Sequence, residues 1–292
     1  MYRLLILLSI IASRVASAQS LPRPDWPGLS AKAHEQIHEV DSAVAPIATV
    51  DAARSAGFGP VFGWIPTMGT HWVNQMRMFG GARFDLTSPS QLMFSPVNGK
   101  QTLVGVAFAY FAPVSDTTHP ESFDGNPPWH EHPDLAPPGS RLVMLHLWLV
   151  PSPDGAFAGH NPLLPFWALG LTPPEADRFA DAAESVRIRR AALALSAVAD
   201  SNGLFPVLAQ RPVVHAVLVS EGDSIRALIP QLDAAQKAGD WTRWDAIATQ
   251  LGAHWDVIRD AYLKSAVNPR VNERMTKLMD EMATPSHTAH VH

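Results

Sequence analysis

The chain has 292 residues, 47% hydrophobic and 17% charged, so it holds enough apolar material for a folded core and too few charges for a disordered chain. A formal net charge of -5 and a pI near 6.2 give no electrostatic draw toward nucleic acid or an anionic membrane surface. Cysteine is absent, which excludes disulfides, thiolate metal ligands, a lipoprotein anchor and a cysteine nucleophile; any metal must be held by His, carboxylate or Met, and there are 13 His residues.

Residues 1–18, "MYRLLILLSIIASRVASA", carry Arg3, an apolar run from Leu4 to Ala12 and the small-x-small triplet Ala16-Ser17-Ala18. That is the layout of a signal peptide cut after Ala18, and the run is too short for a permanent membrane span. The expected product is secreted or periplasmic, begins at Gln19, and keeps no integral membrane segment after cleavage. Residues 19–56 form an N-terminal helical segment. After the Pro-rich "LPRPDWPG", Ala33, Ile37, Val40 and Val44 recur at helical spacing until Pro46, and "TVDAARSAGF" reads as a second helical piece.

Residues 57–171 change character and form a β-rich domain that contains most of the chain's notable histidines. "SQLMFSPVNGKQTLVGVAFAYF" is a hairpin whose Asn98-Gly99 supplies the positive-φ turn. Its second strand sets Val104, Val106, Phe108 and Tyr110 on one face and the small Gly105, Ala107 and Ala109 on the other. The strand "RLVMLHLWLV" puts Val143, Leu145, Leu147 and Leu149 on a plain apolar face and Leu142, Met144, His146 and Trp148 on a face that carries a histidine. Asp154-Gly155 marks the next reversal.

From residue 172 to 284 the pattern is helical. Thr172 with the following prolines predicts a helix start, closing on Asn202-Gly203. Trp241, Trp244, Ala248, Leu251, Trp255, Ile258 and Tyr262 make a core stripe, and Met275, Met279 and Met282 a packing face on the last helix. Residues 285–292 are a tail with His287, His290 and His292. The predicted fold is α+β: a small antiparallel sheet, an N-terminal helix packed on it and a C-terminal helical layer.

The chemistry gathers in the β-rich part, where "TMGTHWVN", "NPPWHEHPDL", "MLHLWLV" and "AGHNP" bring His71, His130, His132, His146 and Asn161 into one unit. In an extended segment alternate side chains share a face, so His130 and His132 can reach one ion while Glu131 turns away. His71 and His146 are the expected further ligands. Such a set suits a divalent metal ion, zinc first and copper second. Met76 and Met78 near His71 add a soft-ligand arrangement that favours Cu(I), set against plain core filling.

A cupin places His-x-His on antiparallel strands and also needs a Glu shortly after the pair; here only Asp134 stands nearby, so that match fails. On Met68-Gly69-x-His71-Trp72, "TLVGVAFAYF", Trp129-His130-x-His132, His146-x-Trp148 and "PDGAFAGHNP", the chain resembles a family of secreted bacterial proteins of unknown function. The resemblance implies that the four histidines belong to a family pattern and names no reaction for them.

Two rival readings stand beside the His cluster. "AHEQIHEV" contains His34-Glu35-x-x-His38, the zinc metallopeptidase signature, with Glu35 as the would-be base. On the wheel of that helix, however, Ala33, Ile37, Val40 and Val44 make the buried stripe while His34, His38 and Asp41 lie along its edge, and the extended motif's third His is missing. The second rival is a metal-free structural or interaction protein whose histidines hydrogen-bond within the core. Substrate, small-molecule partner and protein partner are not specified by the sequence.

Overall fold

Each N-terminal helix begins where a hydroxyl side chain satisfies a free backbone N–H. Ser30 accepts from the Ala33 amide and opens α1 (Ala31–Val44); Thr49 accepts from Ala52 and opens α2 (Val50–Ser55), with a 3-10 turn at Ala45–Ile47 between them. The structure, a computed structural model, describes residues 21–61, 63–80, 82–132, 135–199, 212–265 and 269–285. The expected signal peptide, Asp134, Asn202-Gly203 and the tail histidines lie outside these residues. Along α1 the expected stripe faces inward, with Ala33, Val40 and Val44 buried and Ile37 half-buried.

The β-rich part forms one six-stranded sheet from β1 (Gly59–Pro60), β2 (Thr70–Val73), β3 (Gln91–Val97), β4 (Lys100–Pro113), β5 (His130–His132) and β6 (Ser140–Trp148). Their order is β1-β2-β3-β4-β6-β5 and every neighbouring pair is antiparallel. A short helix, α3 (Gln75–Gly80), follows β2. Asn98 and Gly99 turn the β3–β4 hairpin at φ 49° and 77°, the two positive angles a tight two-residue hairpin requires.

Period-2 alternation separates the two faces of this sheet. Leu92, Val104, Val106, Phe108, Leu145 and Leu147 are all buried and share one core with Trp26, Val40, Val44 and Phe58 of the N-terminal segment. Burial of each such side chain is worth about 1.5–3 kcal/mol. The opposite face carries the histidines and the small residues of β4.

The C-terminal layer consists of α4 (Leu164–Ala168), a 3-10 turn at Ala176–Phe179, α5 (Ala182–Ala199), α6 (Pro212–Ala238), α7 (Trp241–Ser265) and α8 (Pro269–Ala283). The helix expected from Thr172 begins ten residues later. Pro174 pushes Pro173 away from helical angles, and Asp181 supplies the cap instead, its carboxylate accepting from the Glu184 amide. Trp244, Ala248, Leu251, Trp255, Ile258 and Tyr262 are buried in a second core with Met279 and Met282, as the stripe predicts. α4 joins the two cores, with Leu164 and Trp167 in the first and Phe166 in the second. Among the described residues no helix is long and apolar enough to cross a membrane.

Candidate metal centre

Strand order brings the histidines together. On the sheet face that carries the histidines, successive rows read His71–Met93–Gly105–Trp148, whose Met93 and Trp148 join the main core, then Val73–Gln91–Ala107–His146, Ala109–Met144–His130 and Phe111–Leu142–His132. β2 and β6 are three strand spacings apart, about 14 Å in a flat sheet. The gap closes for two reasons. Between His71 and His146, β4 presents the small Gly105, Ala107 and Ala109 to this face, so imidazoles from both sides can lean over it. A register shift opposite Met93 and Phe94 leaves Val104 as an extra residue in β4 and bends that strand beside Gly105, in the row of His71.

The outcome is a contact between the two Nε2 atoms, His71 to His146, at 3.4 Å. Two nitrogens each about 2.0–2.1 Å from a tetrahedral ion stand about 3.3–3.4 Å apart, so this separation is the one a shared metal requires. It is long for an N–H···N hydrogen bond. Met144 brings its Sδ to 3.0 Å from the same His146 Nε2. The His130 ring lies 4.9 Å from that of His146 and 5.0 Å from that of His132, centre to centre. His146 is wholly buried and His71 6% exposed, while His130 and His132 on edge strand β5 are half-buried. Among the described residues no three His, Asp or Glu side chains are gathered closely enough to enclose an ion as they stand. The preformed element is the His71–His146 pair, and His130 stands one ring away from it.

Burial holds every imidazole of the group in its neutral, ligating form. Desolvation, followed by the charge of His132, pushes His71 down to about 4. His130 falls to about 3 through burial and then through His132, His160 and His71. His146 lies well below the ordinary value for the same first cause, with four histidines adding to it. His132 is lowered by burial and by Lys277 of α8. The Nδ1 atoms of His71 and His146 are buried without a hydrogen-bond partner. Such atoms are costly in a plain core, where polar groups are normally satisfied.

The expected alternation on β5 holds: Glu131 points away from its histidine neighbours, to Arg141 and His119. Asn161 is buried as a structural brace, its amide donating to the Pro151 carbonyl and its Oδ1 accepting from the Leu163 amide. Met78 packs on the cluster of Ala107, Ala109, Leu142 and Met144, whereas Met76 is 82% exposed. His34 and His38 lie at the surface of α1, facing an open depression with Glu35 and Thr87, and Asp41 pairs with Arg23 at 2.5 Å.

Two participants escape a reading of the sequence. Met144 shares the strand face of His146, a signal visible in the alternation, but its sulfur contact depends on side-chain conformation. His160 lies in the turn-rich stretch before Asn161, where no periodicity assigns it a direction. Its Nδ1 is 3.1 Å from the Thr67 hydroxyl, and Thr67 is itself buried at φ 61°, an uncommon angle for a side chain with a branched Cβ. Burial, then Arg189 and His132, lower His160 to about 4. Arg189 is buried too, bonded to Asp154 at 2.6 Å and to Ser185, which ties α5 to this loop. No protein-family model, curated protein or solved structure matches the chain.

Proposed function

We propose that the protein is an exported metal-binding protein in which Nε2 of His71 and Nε2 of His146 share a transition-metal ion, with His130 and His132 of β5 completing its coordination. The observation that carries this reading is the 3.4 Å separation of two buried, neutral imidazole nitrogens over a floor of glycine and alanine. Facing imidazoles at this separation can share at most one long N–H···N bond, whereas it is the spacing that two ligands of one metal ion adopt. β5 is an edge strand with half-buried side chains, so His130 and His132 can swing inward on binding with little cost to the core. The imidazole-rich set suits zinc or copper. Resemblance to the family of secreted bacterial proteins and the leader-like residues 1–18 belong to the same reading.

The peptidase alternative has less support. A catalytic zinc takes three protein ligands, and on α1 only His34 and His38 offer themselves on a solvent-facing surface. Equilibrium dialysis of chelator-stripped protein against Zn(II) tests the proposal. Full-length chain with His287→Ala, His290→Ala and His292→Ala should take up one equivalent, and the further pair His71→Leu and His146→Leu should abolish it. Equal uptake with and without the second pair would remove these residues from the site.

A further inference from the structure

We infer that the ion for which this site is built is Cu(I), and that Met144 is one of its ligands through the thioether sulfur. The inference rests on the metal-site reading above and deepens it. Two soft or borderline donors stand against Nε2 of His146 on the sheet face: Nε2 of His71 at 3.4 Å and Sδ of Met144 at 3.0 Å. A thioether is a soft, neutral donor that suits monovalent copper and adds little for zinc, so two imidazoles plus one sulfur select the softer ion. No carboxylate contacts His71, His146 or Met144 among the described residues, and a neutral donor set in a desolvated place favours a single positive charge over two. Low coordination also fits what is preformed. Cu(I) can be held first by the pair and the sulfur, and the β5 histidines then complete its coordination.

The surrounding wall is rich in the same soft chemistry. Met93 lies over Gly105, beside His71 in the row across the sheet, where a Cβ at residue 105 would collide with its terminal methyl. Met78 packs on the Met144 cluster from α3, and the same helix presents Met76 to solvent. Thioethers thus stand both on the exposed side of α3 and in the cluster that contains Met144, soft donors on the side from which an ion would approach.

Anaerobic titration against a chromophoric Cu(I) chelator tests the assignment, on the full-length chain with the three tail histidines replaced by alanine. One Cu(I) should bind. Met144→Leu, nearly the same size and shape, should weaken Cu(I) binding by about tenfold or more, since even outer-shell partners of a metal contribute 10–100-fold, while Zn(II) affinity is unchanged. Copper-edge X-ray absorption of protein labelled with selenomethionine should show a copper–selenium vector, a readout that needs no substitution at all. If His71→Leu with His146→Leu removes Cu(I) binding but Met144→Leu does not weaken it and no selenium scatterer appears, the thioether assignment is wrong and the histidine site stands. If the histidine pair can be replaced without loss of either metal, the site itself is refuted.

Discussion

Replacing His71 and His146 together by leucine should stabilise the metal-free protein. Each side chain holds a buried Nδ1 with no partner, and an unsatisfied buried polar atom costs about 1–3 kcal/mol. Removing two of them returns about 2–6 kcal/mol. Against this stands the repacking of two branched side chains over Ala107 and Gly105, about 1–1.5 kcal/mol for a swap that nearly conserves volume. A net gain of about 0.5–5 kcal/mol is expected, which for a chain of this size raises the thermal midpoint by roughly 2–4 °C per kcal/mol. The assay is urea and thermal denaturation of chelator-treated protein, followed by tryptophan fluorescence, which Trp148 beside His146 reports directly. A site kept for function shows this trade: better stability without the ligand and no binding of it. Loss of more than about 1 kcal/mol in the metal-free double variant would show that the histidines hold the sheet together, and the reasoning from their orphaned nitrogens would be wrong.

Gly105→Ala should cost about 1–3 kcal/mol by overpacking, since a Cβ there stands 2.7 Å from the Leu147 carbonyl oxygen and meets Met93; a denaturation midpoint equal to the parent's would contradict it. The metal-free protein should lose stability as pH falls below about 6.5, because an unfolded His takes up its proton there while buried His160 does not until about 4. His160→Gln should reduce that slope by about 1.4 kcal/mol per pH unit between these values, and an unchanged slope of urea midpoint against pH would refute it. Arg189→Met should destabilise by about 3–5 kcal/mol by leaving Asp154 buried beside an uncharged partner; a change below about 1 kcal/mol would show that this pair does not tie α5 to the loop. Glu35→Gln should leave metal uptake untouched, and a chelator-sensitive cleavage of casein lost in that variant would reinstate the peptidase reading.

Much of the fold was legible because period and punctuation agree. Asn98-Gly99 sets the hairpin, and alternation in β4 and β6 assigns both faces correctly down to the small stripe Gly105, Ala107 and Ala109. The α1 and α7 stripes are core, and on β5 the histidines share a face opposite Glu131. What sequence could not give is long-range. The meeting of His71 with His146 depends on β4 pairing with β6 while β5 closes the edge, and on a bulge at Val104 of β4 that no turn residue announces. His160 is not legible in the sequence because a loop residue has no periodicity to aim it. α5 starts later than Thr172 suggests because the two prolines after that residue keep it from capping a helix; the chain makes only a 3-10 turn at Ala176–Phe179 before Asp181 caps α5.

The most direct measurement is an anomalous difference map from crystals of the protein grown with the metal. A peak about 2 Å from Nε2 of both His71 and His146 is the expected result. No peak at this pair, with density instead at His34 and His38 or at none of these histidines, would contradict a metal centre on the sheet face.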